Sequence, residues 1–223
     1  MAAPTLSGAR VWDNLGMTFR SKFLSLAILC ILAAGGIAAA IIGWPKPPVA
    51  LASGTILAPA RALADFSLID NQGRSFGEQD LRGRWSLMFF GYTNCPDYCP
   101  TTLTTLAALE KRLRAAKTVT PRVVFVSVDA KRDTPARLNQ FVPNFDPEFI
   151  GLTASSQPAI EAIAKKWGVA VNIQYAANGN YVVDHSTAIF VIDPAGRLAA
   201  VLTGPFTVNA LESDFRRIVT VGA

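Results

Sequence analysis

The longest apolar run in the chain is "FLSLAILCILAAGGIAAAIIGW", residues 23–44. It carries no charge and would span roughly 33 Å as a helix at ~1.5 Å per residue, enough to cross a bilayer. A cleaved signal has a shorter apolar core, about 7–15 residues, so a retained transmembrane anchor is expected. Arg10, Arg20 and Lys22 precede it, whereas only Lys46 follows within residues 45–60. That asymmetry predicts a cytoplasmic segment over 1–22, with the bulk of the chain on the other side of the membrane. "PKPPVALASGTILAPARALAD", rich in Pro, Ala and Gly, then reads as a tether over 45–62. The folded domain is expected over 63–223.

Within that domain the period of the pattern alternates. "DFSLIDNQGRSF" places two short apolar stretches around Asn71-Gln72-Gly73, a hairpin signal. "WSLMFFGY" is continuously apolar, as in a strand covered on both faces, which makes Met88 a core residue. "TTLTTLAALEKRLRAA" sets Leu103, Leu106, Leu109 and Leu113 at helical spacing, with basic residues toward its end where the helix dipole favours them. "RVVFVSVDA" is a second buried strand, and Thr134 and Pro135 open another helix as N-cap and first residue. "EFIGLTA" and "SQPAIEAIAKKWGV" give a further strand and helix. Asn178-Gly179-Asn180 is turn chemistry. "HSTAIFVIDPAGRLAAVLTG" reads as two strands joined at Asp193–Gly196, followed by the amphipathic helix "NALESDFRRIVTV".

Strands alternating with helices and closing on a hairpin and a helix predict an α/β fold, a mixed sheet with flanking helices. The thioredoxin-like arrangement fits best, because a reactive dithiol there sits where a central strand hands over to a long helix. "GYTNCPDYCP" puts Cys95 and Cys99 at that place.

The formal charge of +5, without long basic runs, gives no sign of nucleic-acid binding. Of the three cysteines, Cys30 falls inside the apolar run and reads as a small membrane residue. The remaining pair would lie in a compartment that permits disulfides.

Three readings of Cys95 and Cys99 stand side by side: dithiol exchange, metal binding, or a structural disulfide. Cys99 precedes Pro100 at the helix start, where unsatisfied amides and the dipole favour thiolate, which both reactive readings require. Three intervening residues allow a disulfide and also the wider separation of two sulfurs on one ion. The sole histidine, His185, is placed at the start of the strand "HSTAIFVI", which a thioredoxin-like sheet brings near the dithiol. Two thiolates and an imidazole suit copper, Cu(I) above all, and zinc accepts the same set. Strand alternation turns Asp184 away from His185, so it receives no ligand role.

The motifs also resemble the Sco/SenC family of membrane-anchored copper-binding proteins. "GYTNCPDYCPTTL" is similar to that family's G-[YF]-T-x-C-P-D-x-C-P element, "SVDAKRDTPARL" to its S-V-D-P-x-R-D-T-P segment, and "VDHSTAIFVIDPAGR" to its V-D-H-S element. The resemblance implies copper, as Cu(I) or Cu(II), on Cys95, Cys99 and His185. It also implies a metallochaperone for the binuclear copper site of cytochrome c oxidase, with the copper-receiving oxidase subunit as partner and an upstream copper donor or thiol reductant. The alternative is a membrane-anchored thiol–disulfide oxidoreductase with Cys95 and Cys99 as its redox-active dithiol. The first is a carrier and the second an enzyme. Asn94 and Ala130 depart from the family's usual residues, at positions that are not ligands. Asp129, Arg132, Asp133 and Thr134 of the second motif read as structural: strand end, ion pair and helix caps. The basic-poor N-terminus favours a bacterial inner membrane with a periplasmic domain over a mitochondrial one.

Overall fold

The computed structural model describes residues 24, 26, 29–32 and 50–222. In the first group Leu24, Leu26, Leu29, Cys30, Ile31 and Leu32 are helical and exposed. Among the described residues no helix is long and apolar enough to cross a membrane. The segment expected over 1–22 and most of the anchor expected over 23–44 lie outside the described residues.

The folded unit runs β1 (Gly54–Ala62), β2 (Ser67–Asp70), β3 (Ser75–Gly77), β4 (Ser86–Gly91), α1 (Tyr98–Ala115), β5 (Arg122–Ser127) and α2 (Pro135–Phe141). It continues through β6 (Ile150–Thr153), α3 (Gln157–Lys166), β7 (Val171–Tyr175), β8 (Tyr181–His185), β9 (Ile189–Ile192), β10 (Arg197–Leu202) and α4 (Val208–Gly222). Eight strands form one sheet in the order β1-β10-β9-β4-β5-β6-β2-β3, and β7 and β8 pair separately. β4, β5 and β6 are parallel, and β9 joins β4 antiparallel. This is the thioredoxin-like mixed sheet that the pattern predicts.

The physical reasons are those of the sequence. Every residue of β4 is buried, and since alternate side chains point to opposite faces, both sides of the sheet centre are covered. Met88 is a core residue, and Leu103, Leu106, Leu109 and Leu113 lie fully buried along one side of α1. Thr134 caps α2 by accepting from the Arg137 amide, with Pro135 as first residue. Asp193 accepts from the amides of Ala195 and Arg197 to close the β9–β10 turn, where Gly196 takes φ 81°.

Two expectations need correction. Residues 54–62, read as tether, form β1 and pair with β10 at the sheet edge. The fold reaches back further still, because the buried Asp214 carboxylate accepts from the amides of Ala52 and Ser53 at 2.7 and 2.8 Å. An edge strand needs only extended backbone, so its small side chains hid it. Pro59 is tolerated because it falls in the register break between Ile56 and Arg61. The second correction concerns His185, which ends β8 and does not begin β9. Residues 171–185 carry two strands on either side of the Asn178–Asn180 turn, and their half-exposed alternation has too few apolar positions to stand out.

Candidate metal centre

The turn from β4 into α1 is built around Gly91. A Cβ there would stand 2.6 Å from the Phe125 ring and 3.0 Å from Cys99 Sγ, so the sulfur occupies space that only a glycine leaves free. Beyond it, the turn is tied to the neighbouring strand through the fully buried Asp133. That carboxylate accepts from the Thr93 amide at 2.8 Å, the Thr93 hydroxyl at 2.6 Å and the Ser127 hydroxyl at 2.6 Å. Asp133, expected as a helix cap, therefore secures the cysteine turn instead.

The two sulfurs differ in surroundings. Both thiols are free. Cys99 is the second residue of α1 and fully buried, and burial pushes its thiol far above the ordinary range. This corrects the expectation that the helix start would favour thiolate at Cys99: losing solvent outweighs the dipole there. The sulfur that meets the helix-start amide is that of Cys95, whose Sγ accepts from the Cys99 N–H at 3.4 Å.

His185 comes in from β8. Along this strand Tyr181, Val183 and His185 share the inward face, whereas Val182 and Asp184 are exposed. Asp184 bonds to the Gln174 side chain on the solvent side, in keeping with its lack of a ligand role. The His185 Nδ1 donates to the Ser186 carbonyl at 2.8 Å. A carbonyl can only accept, so the proton belongs on Nδ1 and the lone pair on Nε2. That nitrogen faces Cys99 Sγ at 3.8 Å. Phe89 and Tyr92 wall the ring, with centroids at 6.5 and 6.0 Å. Burial lowers the His185 pKa and keeps the imidazole neutral at pH 7, the form that can donate electrons to a metal.

The structure thus brings Cys99 and His185 together and sets Cys95 over the Cys99 amide. Among the described residues no three His, Cys, Asp or Glu side chains gather closely enough to hold a metal ion. The donor types fit a soft cation, and the Nε2 lone pair already points at one of the sulfurs. Sequence reasoning missed Tyr92 as a wall of the site and Tyr181 as a contact of the second motif. Tyr92 sits inside the quoted cysteine motif, but nothing in the spacing marks it as facing a histidine 93 positions later.

A dithiol at the strand-to-helix turn of this sheet, met by one imidazole, defines a thioredoxin-like protein with a candidate thiol–imidazole site. Residues 55–220 match the sequence model described as SCO1/SenC, and the chain belongs to that family. It is 37% identical over 138 residues to the mitochondrial SCO2 homolog of Bos taurus, covering 59% of this chain and 50% of that one. It is 39% identical over 139 residues to an SCO2-like protein of Rickettsia felis, covering 60% of this chain and 65% of the relative. The chain thus spans half to two-thirds of the length of these curated relatives. Among solved structures, Arabidopsis thaliana ScoI with copper bound superposes with a TM-score of 0.67 at 31% identity, covering 71% of this chain and 98% of that one.

Proposed function

We propose that this protein is a copper-binding metallochaperone that serves assembly of the binuclear copper site of cytochrome c oxidase, holding copper on Cys95, Cys99 and His185. The observation that carries the reading is the His185 Nε2, left unprotonated because the Ser186 carbonyl holds the ring proton on Nδ1, and facing Cys99 Sγ at 3.8 Å. Copper is cargo in this reading. It leaves by ligand exchange, each incoming thiolate of the client replacing an outgoing one, with no net oxidation. A buried, neutral Cys99 thiol gives up its proton as metal enters, so uptake releases protons. A single-pass anchor over 23–44, with the domain in a bacterial periplasm, keeps the carrier beside a membrane-embedded client.

The test is a Cu(I) titration of the reduced protein beside His185→Ala and the double variant Cys95→Ser, Cys99→Ser. One tight equivalent, weakened at least ~10-fold by His185→Ala and lost in the double variant, is the expected result. Copper affinity independent of His185 would sink the three-ligand site.

A thiol–disulfide oxidoreductase is the second reading, favoured by two free sulfurs of which one rests against a helix-start amide. It requires both cysteines and no histidine. Reduction of a client disulfide that survives His185→Ala and stops in each single variant, Cys95→Ser or Cys99→Ser, would select it.

A further inference from the structure

The β7–β8 hairpin carries His185 but is not hydrogen-bonded into the main sheet. A lone two-stranded ribbon is marginal in water, so something must hold it against the body. Ser186 and Ala170 bond to each other at its base, through Ser186 N–H to the Ala170 carbonyl and Ala170 N–H to Ser186 Oγ, both at 3.0 Å. Those bonds close the ribbon on itself and leave its seating on the domain to side chains.

Val171, Ile173 and Val183 pack on the core, and a polar seat lies at the other end of β8, in the loop after β5. Arg132 pairs through Nε with the fully buried Asp129 carboxylate and donates from Nη1 to the Tyr181 carbonyl at 3.1 Å. Its guanidinium carbon stacks on the Tyr181 ring, 3.7 Å from the centroid. The Tyr181 hydroxyl reaches over it to donate to Asp129 Oδ1 at 2.7 Å. Tyr181 therefore lies on the arginine as a lid bonded at its far edge. Beneath that lid the Arg132 Nη2 is buried and has no hydrogen-bond partner among the described residues. The same guanidinium carbon also lies 5.8 Å from the centroid of the Tyr92 ring, and Tyr92 meets His185 edge-on. Tyr181, Val183 and His185 face inward together, so a shift of the first shifts the last.

We propose that Arg132, anchored on Asp129 and covered by Tyr181, is a positioning residue that seats the β7–β8 hairpin and so sets where the His185 imidazole stands relative to the Cys99 sulfur. Its consequence for metal affinity rests on the copper reading above, whereas the positioning itself is measurable without metal.

Histidine occurs once in the chain, so the ring ¹⁵N spectrum has one source. In the reduced, copper-free protein His185 should show a protonated Nδ1 and a bare Nε2. Tyr181→Ala and Arg132→Gln should average the two tautomers and speed amide exchange in β8 by about tenfold, leaving β4 exchange as in wild type. Tyr181→Phe keeps the stacked ring and should restore most of the wild-type behaviour. Should Tyr181→Ala fail to fold, Arg132→Lys carries the same test, because it keeps the charge and removes the flat fork. Wild-type exchange in β8, or faster exchange with an unchanged tautomer, would overturn the assignment. In a parallel Cu(I) titration, Tyr181→Ala should weaken binding in wild type and have no further effect in His185→Ala. If His185→Ala alone leaves copper affinity intact, the copper reading fails while the ring spectrum still judges the clamp.

Discussion

The β4–α1 turn and the β7–β8 hairpin supply the two halves of one candidate site, and they are built in opposite ways. The turn lies in the core: Cys99 is fully buried, Gly91 leaves it no spare volume, and Asp133 ties Thr93 to Ser127. The hairpin stands outside the main sheet, with Tyr175 and Val182 at 67% and 54% exposure, and touches the body through one face. A sulfur locked in the core keeps its place whether or not a ligand is present. A histidine on a ribbon keeps its place only as well as the ribbon is seated. Under the copper reading proposed above, this division would let the firm half keep a metal while the lighter half releases it first.

The sharpest way to break this contrast is to loosen the firm half. Asp133→Ala leaves the Thr93 amide and two hydroxyls without an acceptor and should cost about 3 kcal/mol or more in urea unfolding. Next comes α1 itself. Glu110 is almost fully buried beside Arg114, and burial raises its carboxyl from 4.5 to about 7. A raised acid binds its proton more tightly in the folded state, so its stabilisation is complete below about pH 4.5 and is lost as pH rises through about 7. Unfolding stability should decline by up to about 3 kcal/mol across that window, and Glu110→Gln should remove the slope. Gly91→Ala presses a methyl onto Phe125 and the Cys99 sulfur, and should lower stability by about 1–3 kcal/mol in the same assay. On the hairpin, Tyr175→Ser and Val182→Thr should each stay within about 0.5 kcal/mol of wild type. A loss of several kcal/mol from either would mean that the hairpin is as deeply built in as the turn.

The parts of this molecule legible from sequence are those where one strong period decides. The leucines of α1, the unbroken apolar run of β4 and the Asp193–Gly196 turn each carry a signal that nearby residues repeat. The placement of Cys95 and Cys99 at the strand-to-helix turn followed from those elements, and the family motifs marked His185. What could not be read depends on partners distant in the chain. β1 has little alternation and is a strand because β10 offers it a free edge. The hairpin strands are half-exposed and owe their seat to Arg132, whose pairing with a carboxylate was legible but whose cover by Tyr181 was not. Cys99 shows a conflict of two local rules: its helix position argues for thiolate, and only the packing of β4, α1 and β8 around it shows that burial prevails.

The grip of Asp214 on the amides of Ala52 and Ser53 also has a mechanical consequence. Tension applied at Ala50 is met first by that carboxylate on α4 and by Arg217, which holds the Ala50 carbonyl at 2.7 Å. Behind them the β1–β10 ladder takes the load, and β10 and β9 still separate it from β4. A tug on the leading end of the folded unit is thus absorbed at the sheet margin, and the two sulfurs ride out the strain undisturbed.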